Sequence, residues 1–175
     1  MLKRLENGEY FHADSIHFPD SLKYKTDGGR TVYGGGGIMP DIFIPIDTSF
    51  NSKLYTNLVR KGALNRFTTD YALQHRDEML KKYTDFAQYN KEFAVGNELV
   101  DGLKKVAQDN KVEWNDEEFK RSEKFIRLQM KALIARNVWE MQQYYEVMLA
   151  EDNGVQKAIE ILSDEKEYKR ILKWW

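Results

Sequence analysis

The sequence contains no cysteine. That excludes disulfides, thiolate zinc sites, iron–sulfur clusters and a cysteine nucleophile. Proline is nearly as scarce: Pro19, Pro40 and Pro45 are the only three, and the 130 residues after them have none. No apolar run long enough to span a bilayer occurs, so no transmembrane helix is expected. The opening MLKRLENGEYFHADS has no apolar segment of the signal-peptide kind. Neither sign of charge is in excess, with 27 Lys and Arg against 28 Asp and Glu. Such a balance leaves no electrostatic footprint for nucleic acid or an anionic membrane.

What remains is a 175-residue chain, 42% hydrophobic and 31% charged. It is long and apolar enough for a packed core. Seven of the eleven glycines also lie in the first 45 residues, six of them between Gly28 and Gly37. This punctuation divides the chain near residue 48 into a turn-rich piece, 1–48, and a helical piece, 49–175. No internal period repeats. The expected fold is mainly α, a multi-helix C-terminal domain preceded by a small β-hairpin or three-strand remnant.

In the first piece, Leu22–Thr26 alternates apolar and polar residues like a strand. Asp27-Gly28-Gly29 suits a tight hairpin, and Thr31–Tyr33 is the returning strand. Ile42-Phe43-Ile44, bracketed by two prolines, reads as an edge strand. Three short strands make a marginal sheet, so this piece looks as though partner strands are missing.

The second piece is punctuated by helix caps. Ser49 or Asn51 can start a helix carrying Leu54, Leu58 and Val59. A helix over about 63–83 is expected to bury Leu64, Phe67, Tyr71 and Leu73 or Leu80. Asp85 caps a short helix, 86–93, and Asn97 caps 98–108, with Leu99, Leu103 and Val106 on one face. Asn115 precedes three acidic residues, a cap followed by an acidic first turn. The next helix has the clearest pattern, with Phe119, Ile126, Met130, Leu133, Ile134, Asn137, Met141, Tyr144, Tyr145 and Met148 recurring at three and four. Its period predicts about 30 residues, ending near Asn153-Gly154. Two shorter helices follow, 155–162 and, after a Ser163 cap, 164–173.

The residues with chemical potential do not assemble into a complete site. Gly34-Gly35-Gly36-Gly37 lacks the Gly-Lys-Ser/Thr of a phosphate loop and precedes a strand, not a helix. It reads as a turn or a close approach that needs no Cβ. His12, His17 and His75 have no metal-ligand spacing and read as ordinary surface or core residues. Ser15, Ser21, Ser49, Ser52, Ser122 and Ser163 lie outside any nucleophile-turn motif. Ser49, Ser52 and Ser163 suit helix starts, and Ser122 falls inside the long helix. Glu117-Glu118 reads as first-turn charge. Trp139, Tyr144 and Tyr145 read as core with a partly exposed rim. Trp174-Trp175 calls for a packing partner, on the helical core or on another molecule. Catalytic, cofactor-binding and metal sites are each expected to be none.

The segment Gly29-Arg30-Thr31-Val32-Tyr33-Gly34-Gly35-Gly36-Gly37-Ile38-Met39-Pro40-Asp41-Ile42 resembles the stretch that closes the catalytic region of the C-terminal processing (tail-specific) serine peptidases. Its four-glycine form, followed by helices, is similar to members from Bacteroidetes-type bacteria. Leu128–Arg136 is also similar to the helical tails of that family. The family's PDZ domain, its nucleophilic serine turn and its lysine base have no counterpart here, and Leu2-Lys3-Arg4-Leu5-Glu6 reads as mid-protein sequence. The resemblance therefore implies the end of a protease region, 1–48, and a helical C-terminal domain, 49–175, with no catalytic residue of its own. It implies a scaffold, regulatory or oligomerisation role beside the PDZ and catalytic regions of the same protein. The longer protein would cleave unfolded or tail-tagged proteins in the periplasm or cell envelope. The other reading is an autonomous helical protein-interaction domain unrelated to proteolysis.

Overall fold

The computed structural model describes residues 2–29, 31–35 and 40–172. The fold is mainly α, with one two-stranded antiparallel sheet among the described residues. The chain divides into two compact units, one of residues 1–47 and 153–175, the other of residues 48–152.

The first unit opens with a short helix, α1 (Leu2–Glu6). Strands β1 (Lys23–Lys25) and β2 (Thr31–Tyr33) pair with Tyr24 opposite Val32. Gly29 takes a φ of 81°, the left-handed conformation the turn requires. Tyr33 stacks on Phe18 with ring centroids 4.1 Å apart. The third strand expected at Ile42–Ile44 does not form. Pro40 and Pro45 on either side withhold backbone donors, and three residues alone cannot sustain a ladder. Helices α8 (Asn153–Ser163) and α9 (Glu165–Ile171) complete the unit. Asp164, not Ser163, caps α9, its carboxylate accepting from the Lys166 and Glu167 amides. No residue of this unit whose side chain is described is buried.

The second unit contains α2 (Lys53–Arg60), α3 (Ala63–Lys82), α4 (Phe86–Glu92), α5 (Asn97–Asp109), α6 (Asp116–Val138) and α7 (Met141–Leu149). The most extensive packing is of α6 against α3 and α7, with α2 and α5 joining at the sides. Leu54 and Leu58 from α2, Leu64 from α3, Leu103 from α5 and Ile126, Met130 and Ile134 from α6 are all buried in the shared core.

Several helix boundaries move by local competition. Ser52 starts α2, its Oγ accepting from the Tyr55 amide at 3.0 Å. The Ser49 carbonyl is occupied by Arg121 Nε at 3.0 Å. Gly96 precedes α5 because the Asn97 side chain accepts from Arg127 instead. Leu73 and Leu80 prove exposed. The face of α3 that packs inward carries Leu64, Thr68, Ala72 and Met79.

The expected 30-residue helix is two. Trp139 leaves helical geometry with φ −110° and ψ −107°. Glu140 is extended, and its amide donates to Gln143 Oε1 at 3.1 Å, a local N-terminal cap that restarts the helix. The Trp139 indole packs against Tyr89 and Phe86 of α4, at 4.9 and 5.9 Å. Placing that large ring on α4 breaks the helical path at the residue that carries it.

Candidate functional site

The densest set of polar side chains lies along the seam between α2 and α6. Asn115 caps α6, with its Oδ1 accepting from the Glu118 amide at 2.9 Å. That places Glu118 in the first turn, where it reaches the start of α2. Its Oε2 accepts from the Leu54 amide at 2.6 Å. α2 has no acidic residue in its own first turn. Glu118 therefore supplies from another helix the negative charge that the α2 dipole favours.

One turn further along α6, Ser122 is fully buried. Its hydroxyl donates to the Phe50 carbonyl at 2.6 Å and shares a 2.6 Å hydrogen bond with Ser52 Oγ. Ser52 in turn caps α2. Phe50 stacks on Phe125 at 3.9 Å, and Tyr55 meets both rings edge-on. This arrangement locks the segment before α2 onto α6. It shields Ser122 from solvent and places no basic partner on its hydroxyl, so its chemistry is structural.

Two cations of α6 hold the connection between α4 and α5. Arg127 donates to the Val95 carbonyl at 2.6 Å and to Asn97 Oδ1 at 2.7 Å, while pairing with Glu123 on its own helix. Lys131 donates to the Asn90 carbonyl at 2.5 Å, and burial pulls its ammonium below the ordinary lysine range. Tyr89 completes the group by donating to the Lys131 carbonyl at 3.0 Å. Burial, reinforced by Tyr83 and Tyr71, pushes the Tyr89 phenol far above the ordinary tyrosine value.

The glycine run is described only through its first half. The Gly34 amide donates to the Leu22 carbonyl at 2.8 Å, extending the hairpin. A Cβ at Gly34 would lie 2.5 Å from Tyr24 Cε2, so the ring crosses the bare backbone there. At Gly35 the nearest neighbour of a Cβ would be Leu22 Cδ1 at 3.2 Å. These contacts give Gly34 a close-approach role. Gly36, Gly37 and the rest of the motif to Met39 lie outside the described residues, as do Arg30 and the terminal Trp174-Trp175.

The histidines are dispersed. His12 precedes a single 3-10 turn, Ala13–Ser15. His17 Nδ1 lies 3.0 Å from the Ser15 carbonyl. His75 stacks on Tyr71 at 4.2 Å, with Nδ1 2.9 Å from the Tyr71 carbonyl. Among the described residues, no three His, Asp or Glu side chains gather as a metal site would require. Of the aromatic rim, Tyr144 accepts from Gln129 Nε2 at 2.9 Å, while Tyr145 is 55% exposed.

Sequence reasoning missed Arg127, Lys131 and the service of Glu118 to a second helix. Only Glu118 had a local signal, the acidic first turn, and nothing local indicated that it serves a second helix. Among the described residues, no helix is long and apolar enough to cross a membrane. No curated protein and no solved structure matches this chain. Residues 54–140, from the first turn of α2 to the junction of α6 with α7, match the model of a family described as a family of unknown function (DUF8443).

Proposed function

We propose that the helical region is a non-catalytic scaffold within a larger carboxyl-terminal processing serine endopeptidase of the cell envelope. The supporting observation is the use of its reactive groups. Ser52, Ser122, Glu118, Arg127 and Lys131 join one helix or loop to another, which makes a rigid support for other parts of a protein. The link to proteolysis rests on the resemblance of residues 29–42. The scaffold would hold the PDZ and catalytic regions in register, or assemble copies of the protease. A second reading, an autonomous helical interaction domain, has its own support: the matched stretch, 54–140, stops short of the peptidase-like segment.

The test is a comparison between this chain and the longer protein read from its genomic frame. This chain should not react with a fluorophosphonate probe, because catalysis of this class needs an activated serine. The longer protein should react at a serine upstream of Leu2. Removing residues 49–175 from it should impair processing of an unfolded substrate or its assembly in gel filtration. A frame without an upstream Ser/Lys region would overturn the peptidase reading. Unchanged processing and assembly after the deletion would overturn the scaffold reading.

A further inference from the structure

Near the C-terminal end of α3, side chains at helical spacing line one wall of a cleft of about 100 Å³, and Phe93, just beyond α4, lines another. Tyr71 and His75 form a stacked pair, 4.2 Å apart and 23° from parallel. Tyr83 and Phe93 stand at 90° with centroids 6.4 Å apart, an aromatic corner. Tyr83 is 4% exposed.

The charges are arranged as unusually as the rings. Glu78 and Lys82 have the spacing that normally forms an ion pair along a helix. They do not pair; Lys82 Nζ instead lies 5.2 Å from the Tyr83 ring centroid. Glu78 thus keeps an uncommitted carboxylate on the cleft wall. Burial first, then the carboxylates of Glu78 and Glu98, raise the Tyr71 phenol. Of these two carboxylates, Glu78 lines the cleft itself. Aromatic faces attract cations through their quadrupoles, and quaternary ammonium groups favour sites with several such faces. The Tyr83 face already receives a cation from the chain itself.

We propose that this cleft binds a small methylated ammonium group, with Tyr71, Tyr83 and Phe93 as its aromatic walls and Glu78 as its counter-charge. Lys82 is the internal competitor that such a ligand displaces. Its long stem lets the ammonium leave the ring for solvent without moving α3. This assignment is independent of the scaffold reading.

The probe is tetramethylammonium chloride, titrated into the isotopically labelled chain at constant ionic strength with sodium chloride as control. Amide signals around residues 71–83 and 93 should shift saturably with the probe and not with sodium. Phe93→Leu and Glu78→Gln should each weaken binding about two- to fivefold. Lys82→Met should tighten it by a similar factor, which a general electrostatic or denaturing effect would not do. Glu78 and Lys82 are exposed, so those variants test the site even if Phe93→Leu disturbs packing. Absence of saturable shifts, or unchanged or weaker binding in Lys82→Met, would overturn the proposal. Choline and a trimethyl-lysine peptide then separate the two sources of this group: the one bound at least as tightly as the probe is the physiological class, and binding of neither overturns the assignment.

Discussion

Replacing Ser122 by alanine tests whether the seam between α2 and α6 holds the helical unit together. The side chain is fully buried and its hydroxyl has two partners, the Phe50 carbonyl and Ser52 Oγ, each at 2.6 Å. Alanine removes one oxygen and leaves the carbonyl without that donor. An orphaned buried acceptor costs about 1–3 kcal/mol. Alanine also favours the helix, returning about 0.5 kcal/mol. The net expectation is a loss of about 1–2 kcal/mol, near 5–10 °C in melting temperature for a unit of this size. Ser52→Ala should lose a comparable amount, since it also removes the cap of α2. The double variant should lose less than the sum, because each single change breaks the same hydroxyl–hydroxyl bond. Thermal melts followed by circular dichroism, with urea titrations for free energies, measure all three. Strict additivity, or a Ser122→Ala chain as stable as the parent, would refute the argument. The same variant checks the reading of Ser122 as a structural hydroxyl. Fluorophosphonate labelling present in the parent and lost in Ser122→Ala would contradict its burial.

Met130 is fully buried on α6, so Met130→Asp should cost several kcal/mol and abolish the cooperative melt. A Cβ at Gly102 in α5 would lie 2.6 Å from Phe67 Cε2. Gly102→Ala should therefore destabilise despite alanine's helix preference, and adding Phe67→Leu should reverse the sign. In the hairpin, Val at Gly34 should disrupt the Tyr24 contact, whereas Val at Gly35 should cost under about 1 kcal/mol; proton NMR of the Tyr24 ring distinguishes them. The Tyr89 phenol is raised by burial, so its unfolded form releases a proton first as pH climbs. Its contribution is whole below the ordinary tyrosine value of 10.0 and falls progressively above it. Urea titrations at pH 9 and 11 should show that loss, reduced in Tyr89→Phe. The lowered Lys131 opposes it, since stability from that group grows as pH rises toward 10.5. An equal loss in Tyr89→Phe would refute the attribution.

The candidate cleft was much less legible than the helices around it. Tyr71, His75, Glu78 and Lys82 share a helix face by spacing, yet the same spacing suggests a routine Glu–Lys pair. Phe93 arrives from beyond α4, and its right-angle contact with Tyr83 has no local signature. The lysine's choice of a ring over a carboxylate depends on that three-dimensional corner.

By itself the sequence determined what local chemistry can determine. Asp85 and Asn115 cap α4 and α6 because a carboxylate or amide oxygen reaches amides only three residues away. The turn at Gly29 and the buried stripe of Ile126, Met130 and Ile134 are equally local, set by backbone freedom and helical period. Tertiary structure decided what depended on distant competition. Arg127 takes up the Asn97 side-chain oxygen that the sequence suggested as a cap. The contact of Trp139 with α4 divided one periodic pattern into α6 and α7. Periodicity records which side chains seek burial, but not which neighbour arrives to bury them, and at the start of α5 and the junction of α6 with α7 that neighbour fixed the helix boundary.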